Sequence, residues 1–463
     1  MAVGMSLKGR KVVVVGANPS GFALVKFLLK KGALVKLVDM RPLETVTALI
    51  GENLDTTRFA LECGDFSLNT FMDTQTVITT PTVQSDSKIL EAAKAGGMEV
   101  IGELEFAAQF IEEPIVAIIG TNGKSTTASL CAAILENSGK SVFHNLQNPI
   151  SHYLNLSKPA DVVLLVCNNF QLESVRSLKA KVIVATNFSE DYMTRYPTLE
   201  HAFHPLREAI RNVDDTTTLV FNAQDPAVLS LAPARGGQTR YFSNQPLTEG
   251  EMATWYTKNQ LFVRTSQESE PWSFNLTNMR LRGPMNKENL GAAILAALSF
   301  GASKEAIEKV IGTHSALPGR LEFIKRMNSV AFYDDSHGVN VQAAIRSLQA
   351  FVEPVILISG GQDKNQDYTP LIPHIRQRVK NLILVGEAKE KMNRAIGDFT
   401  ETFLVGTVEE AVILAYQKSR SGDVVLFSPT CAPYDTFPAN SEKGTYYKKL
   451  VNQIAAPRRP TVF

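Results

Sequence analysis

Cysteine is scarce and unpaired in this sequence: Cys63, Cys131, Cys167 and Cys431 are widely scattered, and no two form a CxxC pair. That excludes a disulfide framework and offers no pattern for a structural zinc site, so a reducing compartment is expected. An excess of one charge is missing too. The 47 basic and 46 acidic side chains nearly cancel, which removes any global electrostatic case for a nucleic-acid or anionic-membrane partner and leaves phosphate binding to local structure. No run approaches the ~20 apolar residues of a membrane helix. The first residues, MAVGMSLKGRKVVVVGA, pass from a short polar lead straight into a strand-like segment. They lack the apolar stretch and small-residue cleavage site of a signal peptide, so a cytoplasmic location is expected. Internal repeats and low-complexity tracts are also lacking.

What is present is apolar material for large cores, 44% of 463 residues, enough for roughly three domains of about 150 residues. Lys11 to Val15 is a β-branched run ending at Gly16, followed by an amphipathic stretch from Phe22 to Lys31 and a second apolar run from Leu34 to Val38. Strand, turn, helix, strand opens a nucleotide-binding α/β layer. The turn Gly16-Ala17-Asn18-Pro19-Ser20-Gly21 is only a partial glycine fingerprint, because Asn18 stands at the middle glycine. The alternation runs on through Val77 to Thr80 and Lys88 to Gly96, then resets at Pro114 to Ile119, placing a first boundary near residue 112.

Buried-strand candidates follow at Val162 to Val166, Val182 to Thr186 and Thr218 to Phe221, with a polar, irregular stretch from Gln238 to Ser269 read as a peripheral sheet region. A helix is predicted from Asn286 to Phe300 and a second boundary near residue 316. Beyond Leu317-Pro318-Gly319-Arg320, strands at Val330 to Tyr333, Val355 to Ser359, Leu382 to Val385 and Val424 to Phe427 alternate with helices at Val341 to Phe351 and Val408 to Arg420. That pattern argues a further doubly wound parallel sheet. The expected class is α/β in three domains, residues 1–112, 113–316 and 317–463.

The strongest local signal is Gly120-Thr121-Asn122-Gly123-Lys124-Ser125-Thr126, set between an apolar strand and a helix-like segment from Ala128 to Leu135. Glycines let backbone N–H groups close on phosphates, a helix N-terminus adds positive potential, Lys124 reaches the outer phosphates, and the Ser125 hydroxyl can ligate Mg²⁺. The spacing is a shortened variant of GxxxxGK[ST], with Ile118 where the first glycine would stand. The loop is read as binding ATP.

With GTNGKST at Gly120, NFQLE at Asn169, NFSEDYMTRYP at Asn187, FYDDSHGVN at Phe332, ILISGGQDK at Ile356 and SPTCAPYDTF at Ser428, the whole chain resembles the Mur ligases. The FQLE, DDSH and SPxCAxxD segments favour them over related amide ligases such as folylpolyglutamate synthetases. The resemblance implies a Rossmann-like UDP-sugar-binding domain, a central P-loop ATPase-type domain and a Rossmann-like C-terminal domain. It implies an ATP- and Mg²⁺-dependent ligase of cell-wall precursor synthesis, a monomer that adds D-glutamate to UDP-N-acetylmuramoyl-L-alanine through an acyl phosphate. Carried over by motif, Lys124 and Asp335 are the catalytic candidates. Asn289 would contact adenine, and Arg320 and Asp335 would close over the nucleotide. Ser20, Asp39, Arg41, Asn145 and Gln171 would hold the UDP-sugar, and Lys364 the amino-acid carboxylate.

The chain departs from that pattern where metal is held. The glutamate on the strand before FQLE is Val166, the histidine after NFSED is Tyr192, and the carbamylated lysine is Arg207. A valine ligates nothing, and a guanidinium stays protonated and cannot form a carbamate. Glu190, Asp191, His201, Glu208 and Glu173 stand nearby as alternative ligands. In the amino-acid pocket, His337, Val339, Pro433 and Asn440 replace the residues of the D-glutamate branch. Two further readings therefore stand beside the ligase: a related protein that binds ATP or a UDP-sugar as a sensor or scaffold, and a ligase for another amino acid.

Overall fold

The computed structural model describes residues 6–49, 57–65, 67–83, 87–189, 195–233, 236–247, 252–266, 269–363, 365–431 and 440–454. Three sheets succeed one another along the chain. The first holds β1 (Lys11–Val15), β2 (Leu34–Asp39), β3 (Phe59–Cys63), β4 (Thr76–Thr79) and β5 (Glu99–Gly102) in the order β3-β2-β1-β4-β5, all parallel. β1 is apolar throughout because both its faces are covered. Val12 and Val14 pack with Leu24 and Leu28 on one side, and Val13 and Val15 with Phe71 and Leu90 on the other. The helix after β1 spans Pro19–Lys30, three residues earlier than the predicted start. Asn18 is the reason: its side chain accepts from the Gly21 N–H at 3.1 Å as an N-cap, with Pro19 in the first turn.

The second sheet comprises β6 (Ile115–Ile119), β7 (Val142–His144), β8 (Val162–Val166), β9 (Val182–Ala185), β10 (Thr218–Asn222), β11 (Gln238–Ser243), β12 (Ala253–Tyr256), β13 (Gln260–Arg264) and β14 (Trp272–Asn275). Its order is β14-β13-β12-β11-β10-β9-β6-β8-β7, with β13 alone running against the other strands. The polar stretch after Gln238 is thus the outer part of the central sheet itself. One face is covered by the helices Lys124–Asn137 and Pro284–Leu298, which share a core of Cys131, Ile134, Leu290 and Ile294. From Leu290 onward Pro284–Leu298 is apolar all round, as a helix stretch enclosed on several sides must be.

The third sheet holds β15 (Glu322–Met327), β16 (Val330–Asp334), β17 (Val355–Ser359), β18 (Val379–Val385), β19 (Glu401–Val405) and β20 (Val424–Phe427) in the order β15-β16-β20-β17-β18-β19. Only β15 is antiparallel to its neighbour. In such sheets ligands settle beyond the carboxyl ends of strands where the order reverses. In the first sheet that point is the end of β1, in the second the end of β6, flanked by β8 and β9. Among the described residues no helix is long and apolar enough to cross a membrane.

Candidate active site

The loop that leaves β6 turns twice through conformations that side chains resist. Gly120 has φ 119° and Gly123 φ 88°. A Cβ on Gly120 would stand 2.7 Å from the Asn187 carbonyl, and one on Gly123 2.3 Å from Asn289 Oδ1. Both glycines are therefore required by φ and by space. Asn187, at the end of β9, shapes the rest: it accepts from Thr121 N–H at 2.8 Å with its carbonyl and from Asn122 N–H at 3.0 Å with its side chain, and donates to Asn122 O at 2.8 Å. Lys124 is buried and folded back, donating to Gly120 O at 2.6 Å and Thr121 O at 2.9 Å. Its ammonium is thus stored against the loop's own carbonyls, at the start of the helix whose N-terminus favours anions.

The loop does not face solvent alone. A cavity of about 70 Å³ joins Asn122, Gly123, Thr126 and Asn289 to Arg320, Asp335 and Arg346. Asn289 reaches it from helix Pro284–Leu298, donating to Asn286 Oδ1 at 3.1 Å and accepting from Thr127 Oγ1 at 3.3 Å. Asp335 follows β16; its Oδ2 accepts from Ser347 at 2.7 Å and Ser428 at 2.8 Å. Burial raises its pKa to about 7 against those hydroxyls and the field of Arg320. His337 also lines the cavity, and burial lowers its pKa to about 4.

At the carboxyl end of β1 a second cavity of about 720 Å³ is lined by Gly16, Asn18, Asp39, Arg41, Thr82 and Lys88. Asp39 accepts from Ala17 N–H at 2.7 Å and from Arg41 Nε at 2.8 Å, while Arg41 donates to Ala17 O at 2.6 Å. The Arg41 guanidinium holds the Asp39 carboxyl down to about 2. The pair clamps the turn after β1, where the sequence shows only a broken fingerprint.

Other candidates are committed elsewhere. Ser20 is buried, and its carbonyl accepts from Ser151, which also donates to Glu103. Asn145 exchanges two hydrogen bonds with the backbone of Val166. Gln171 reaches back to the Asn168 N–H at 3.0 Å in a capping box. Lys364 and Tyr192 lie outside the described residues, as do Glu190, Asp191 and Pro433.

Of the metal positions among the described residues, Val166 and Arg207 offer no ligand to a cation. Val166 packs against the apolar core, and Arg207 pairs with Glu200 and stacks over Phe203 at 4.9 Å. Glu173 is taken by Arg195 and the Tyr196 hydroxyl, each at 2.6 Å. His201 and Glu208 line a separate pocket with these. Among the described residues no three His, Cys, Asp or Glu side chains gather as a metal site.

Three family models match the chain in order: the MurD-like N-terminal domain of Mur ligases at residues 10–102, the Mur ligase middle domain at 118–297, and the Mur ligase glutamate ligase domain at 319–431. A curated relative from Bdellovibrio bacteriovorus, a UDP-N-acetylmuramoylalanine–D-glutamate ligase, is 42% identical over 97% of this chain and 98% of its own length. The chain belongs to the Mur ligase family. Another D-glutamate ligase, from Geotalea uraniireducens, is 34% identical over 97% of this chain and 99% of its own. Among solved structures, a pseudomurein peptide ligase from Methanothermus fervidus aligns with a TM-score of 0.60 at 19% identity, covering 96% of this chain and all of that one. A MurF ligase from Thermotoga maritima in complex with ADP aligns at 0.60 and 15% identity, covering 97% and 99%. These last two establish the shared three-domain fold. As a Mur ligase this protein is an ATP-dependent ligase.

Sequence reasoning missed three residues of the site. Asn187 opens the NFSED segment, and its NxS-like setting at a strand end is the signal the sequence offers for it. Asn286 forms an NxxN pair with Asn289 on one helix face. Arg346 sits in an ordinary amphipathic helix and had no signal at all.

Proposed function

We propose that this chain joins D-glutamate to UDP-N-acetylmuramoyl-L-alanine, with ATP cleaved to ADP and phosphate. The observation that carries the reading is the cavity in which the phosphate loop meets Arg320 and Asp335; the D-glutamate ligases among its full-length relatives supply the substrate class. The substrate carboxylate attacks the γ-phosphorus and ADP leaves, giving an acyl phosphate. The amine then attacks the acyl carbon and phosphate leaves. Two anions must approach each other, so the protein's task is to hold phosphate charge.

In this reading Lys124 swings from Gly120 O and Thr121 O to the outer phosphates, and the N–H groups of the loop and helix start meet the rest. Arg320 faces them from the third sheet, and Asp335 orients the nucleotide. Asp39, Arg41 and Asn18 receive the uridine-diphosphate portion in the larger cavity, whose volume suits it. Ser20, Asn145 and Gln171 would act by shaping backbone beside the sugar-nucleotide, and Lys364 would bind the amino-acid carboxylate. Mg²⁺ arriving with ATP would find a protein oxygen in the Ser125 hydroxyl and would offset phosphate charge there. Val166 and Arg207 supply no ligand oxygen, so the loop N–H groups, Lys124 and Arg320 carry the charge-holding role. A cytoplasmic monomer with boundaries near residues 112 and 316 completes the proposal; the gaps between sheets support those boundaries.

The test is ADP release from purified protein given UDP-N-acetylmuramoyl-L-alanine, Mg²⁺, ATP and D-glutamate. Lys124→Ala is expected to weaken ADP binding about ten- to a hundredfold, since a charge-assisted contact is worth about 1.5–3 kcal/mol. ADP binding without turnover on any amino acid would remove the ligase reading and leave a binding protein.

A further inference from the structure

The cavity at the phosphate loop is about 70 Å³, whereas sites that enclose a small ligand run to roughly 300–1,000 Å³. A cavity this small encloses a nucleotide only if the two walls part. One wall is the loop with helix Pro284–Leu298; the other carries Arg320, Asp335 and the helix Val341–Leu348. Among the described residues, two of the polar contacts between these walls lie at the cavity. Asn340 Nδ2 donates to Asn122 Oδ1 at 3.4 Å, and Arg346 Nη1 meets Glu288 Oε2 at 3.4 Å. Both are long for their type, since charge-assisted N–H···O bonds sit near 2.7–2.9 Å.

Glu288 lies one residue before Asn289 on the helix that backs the phosphate loop. Its side chain is 15% exposed and that of Arg346 29%. Burial raises the Glu288 carboxyl above its usual range, and the Arg346 charge opposes that rise only in part. Arg346 is the cation paired with this carboxylate, and its side chain also lines the cavity with Asn122, Gly123, Thr126 and Arg320. A nucleotide on the loop brings phosphate and ribose oxygens into that same space. One planar guanidinium then has two alternative anionic partners, the buried carboxylate and the incoming phosphate, both of which suit its fork of donors.

We propose that Arg346 is a nucleotide-positioning residue held in reserve by Glu288, exchanging its carboxylate partner for the nucleotide when the walls part. The inference rests on the nucleotide reading of the cleft. Glu288 competes with the nucleotide for Arg346, so the two residues act on affinity in opposite directions although they form one ion pair.

The test is calorimetric titration of ADP into the full chain and its variants. Glu288→Gln is expected to tighten ADP about three- to tenfold and to lower KM for ATP with little change in kcat. Arg346→Met is expected to weaken ADP about tenfold, and Glu288→Gln made in the Arg346→Met background is expected to change nothing further. A pair with a purely structural role would move both variants the same way, with parallel losses in Tm. Weaker or unchanged ADP binding in Glu288→Gln overturns the inference, as does unchanged binding in Arg346→Met. If Arg346→Met does not fold, Arg346→Lys carries the same test, keeping the charge but losing the fork, with a smaller loss of affinity. Wild-type protein that binds ADP, and loses it in Lys124→Ala, upholds the cleft whatever these variants do. Wild-type protein that binds no ADP removes the cleft reading and this inference together.

Discussion

Two aspartates at strand ends illustrate how the same side chain is driven in opposite directions by its surroundings. Asp39, held down to about 2 by Arg41, contributes stability that is present above its ordinary value and is lost as pH falls through that lowered value. Asp335, raised to about 7 by burial, binds a proton in the native state that the unfolded chain releases. Its contribution is complete below the ordinary carboxylate range and declines as pH rises from about 4 to 7. The upper limit is about 4 kcal/mol at 1.36 kcal/mol for each pH unit between those values. Asp335→Asn is therefore expected to flatten the fall in stability between pH 4 and 7, measured by urea denaturation across that range. An unchanged pH profile would mean that the carboxyl titrates normally. Asp39→Asn is expected to destabilise the chain at pH 7 and progressively less as pH falls toward and below about 2.

At the scale of elements, helix starts carry the site. The helix Pro19–Lys30 begins under Asn18, which also donates to Thr80 at 2.9 Å and Thr82 at 3.1 Å across the larger cavity. Asn18→Ala removes a cap and two bridges, and is expected to cost about 1–2 kcal/mol in chemical denaturation. A loss below about 0.3 kcal/mol would show the cap to be idle. The helix Lys124–Asn137 has no side-chain cap, because Gly123 precedes it in the left-handed region. Its first N–H groups are thus left to the loop and to anions. β8 offers the contrast: it ends on Val166, clasped by Asn145 and packed on the core, so that strand end supports the sheet and presents no ligand.

For the whole molecule, the central and third sheets are pinned beside the cleft. Arg282 pairs with Glu353 at 3.0 Å and lies over Tyr333 at 5.4 Å and Phe351 at 5.6 Å. This contact is apart from the loop, so it can act as the fulcrum while the walls of the small cavity separate. ADP at a hundredfold excess over Kd is expected to stabilise the chain by about 2.7 kcal/mol, seen as a rise in Tm absent from Lys124→Ala. Solution scattering should change on ADP addition as the third sheet shifts. Superimposable curves with and without saturating ADP would contradict the need for opening.

The sequence by itself determined the central strands, because β1, β6, β8, β17 and β20 are covered on both faces and so read as unbroken apolar runs. It also determined the phosphate loop, whose glycines and Lys124 are contiguous. It did not reveal β3, β5, β7, β15 or β19. Each borders its sheet and is only partly buried, which erases the alternation that marks a strand. The family resemblance pointed to Asn289, Arg320 and Asp335 as nucleotide residues, but only the tertiary structure decided that they and Arg346, on separate elements, meet the loop in one cavity. It alone showed that Lys124 is stored on its own loop and that Glu173 is spent on Arg195. Pairing across a cleft depends on how sheets and helices pack, and packing brings together residues that no local pattern in the chain connects.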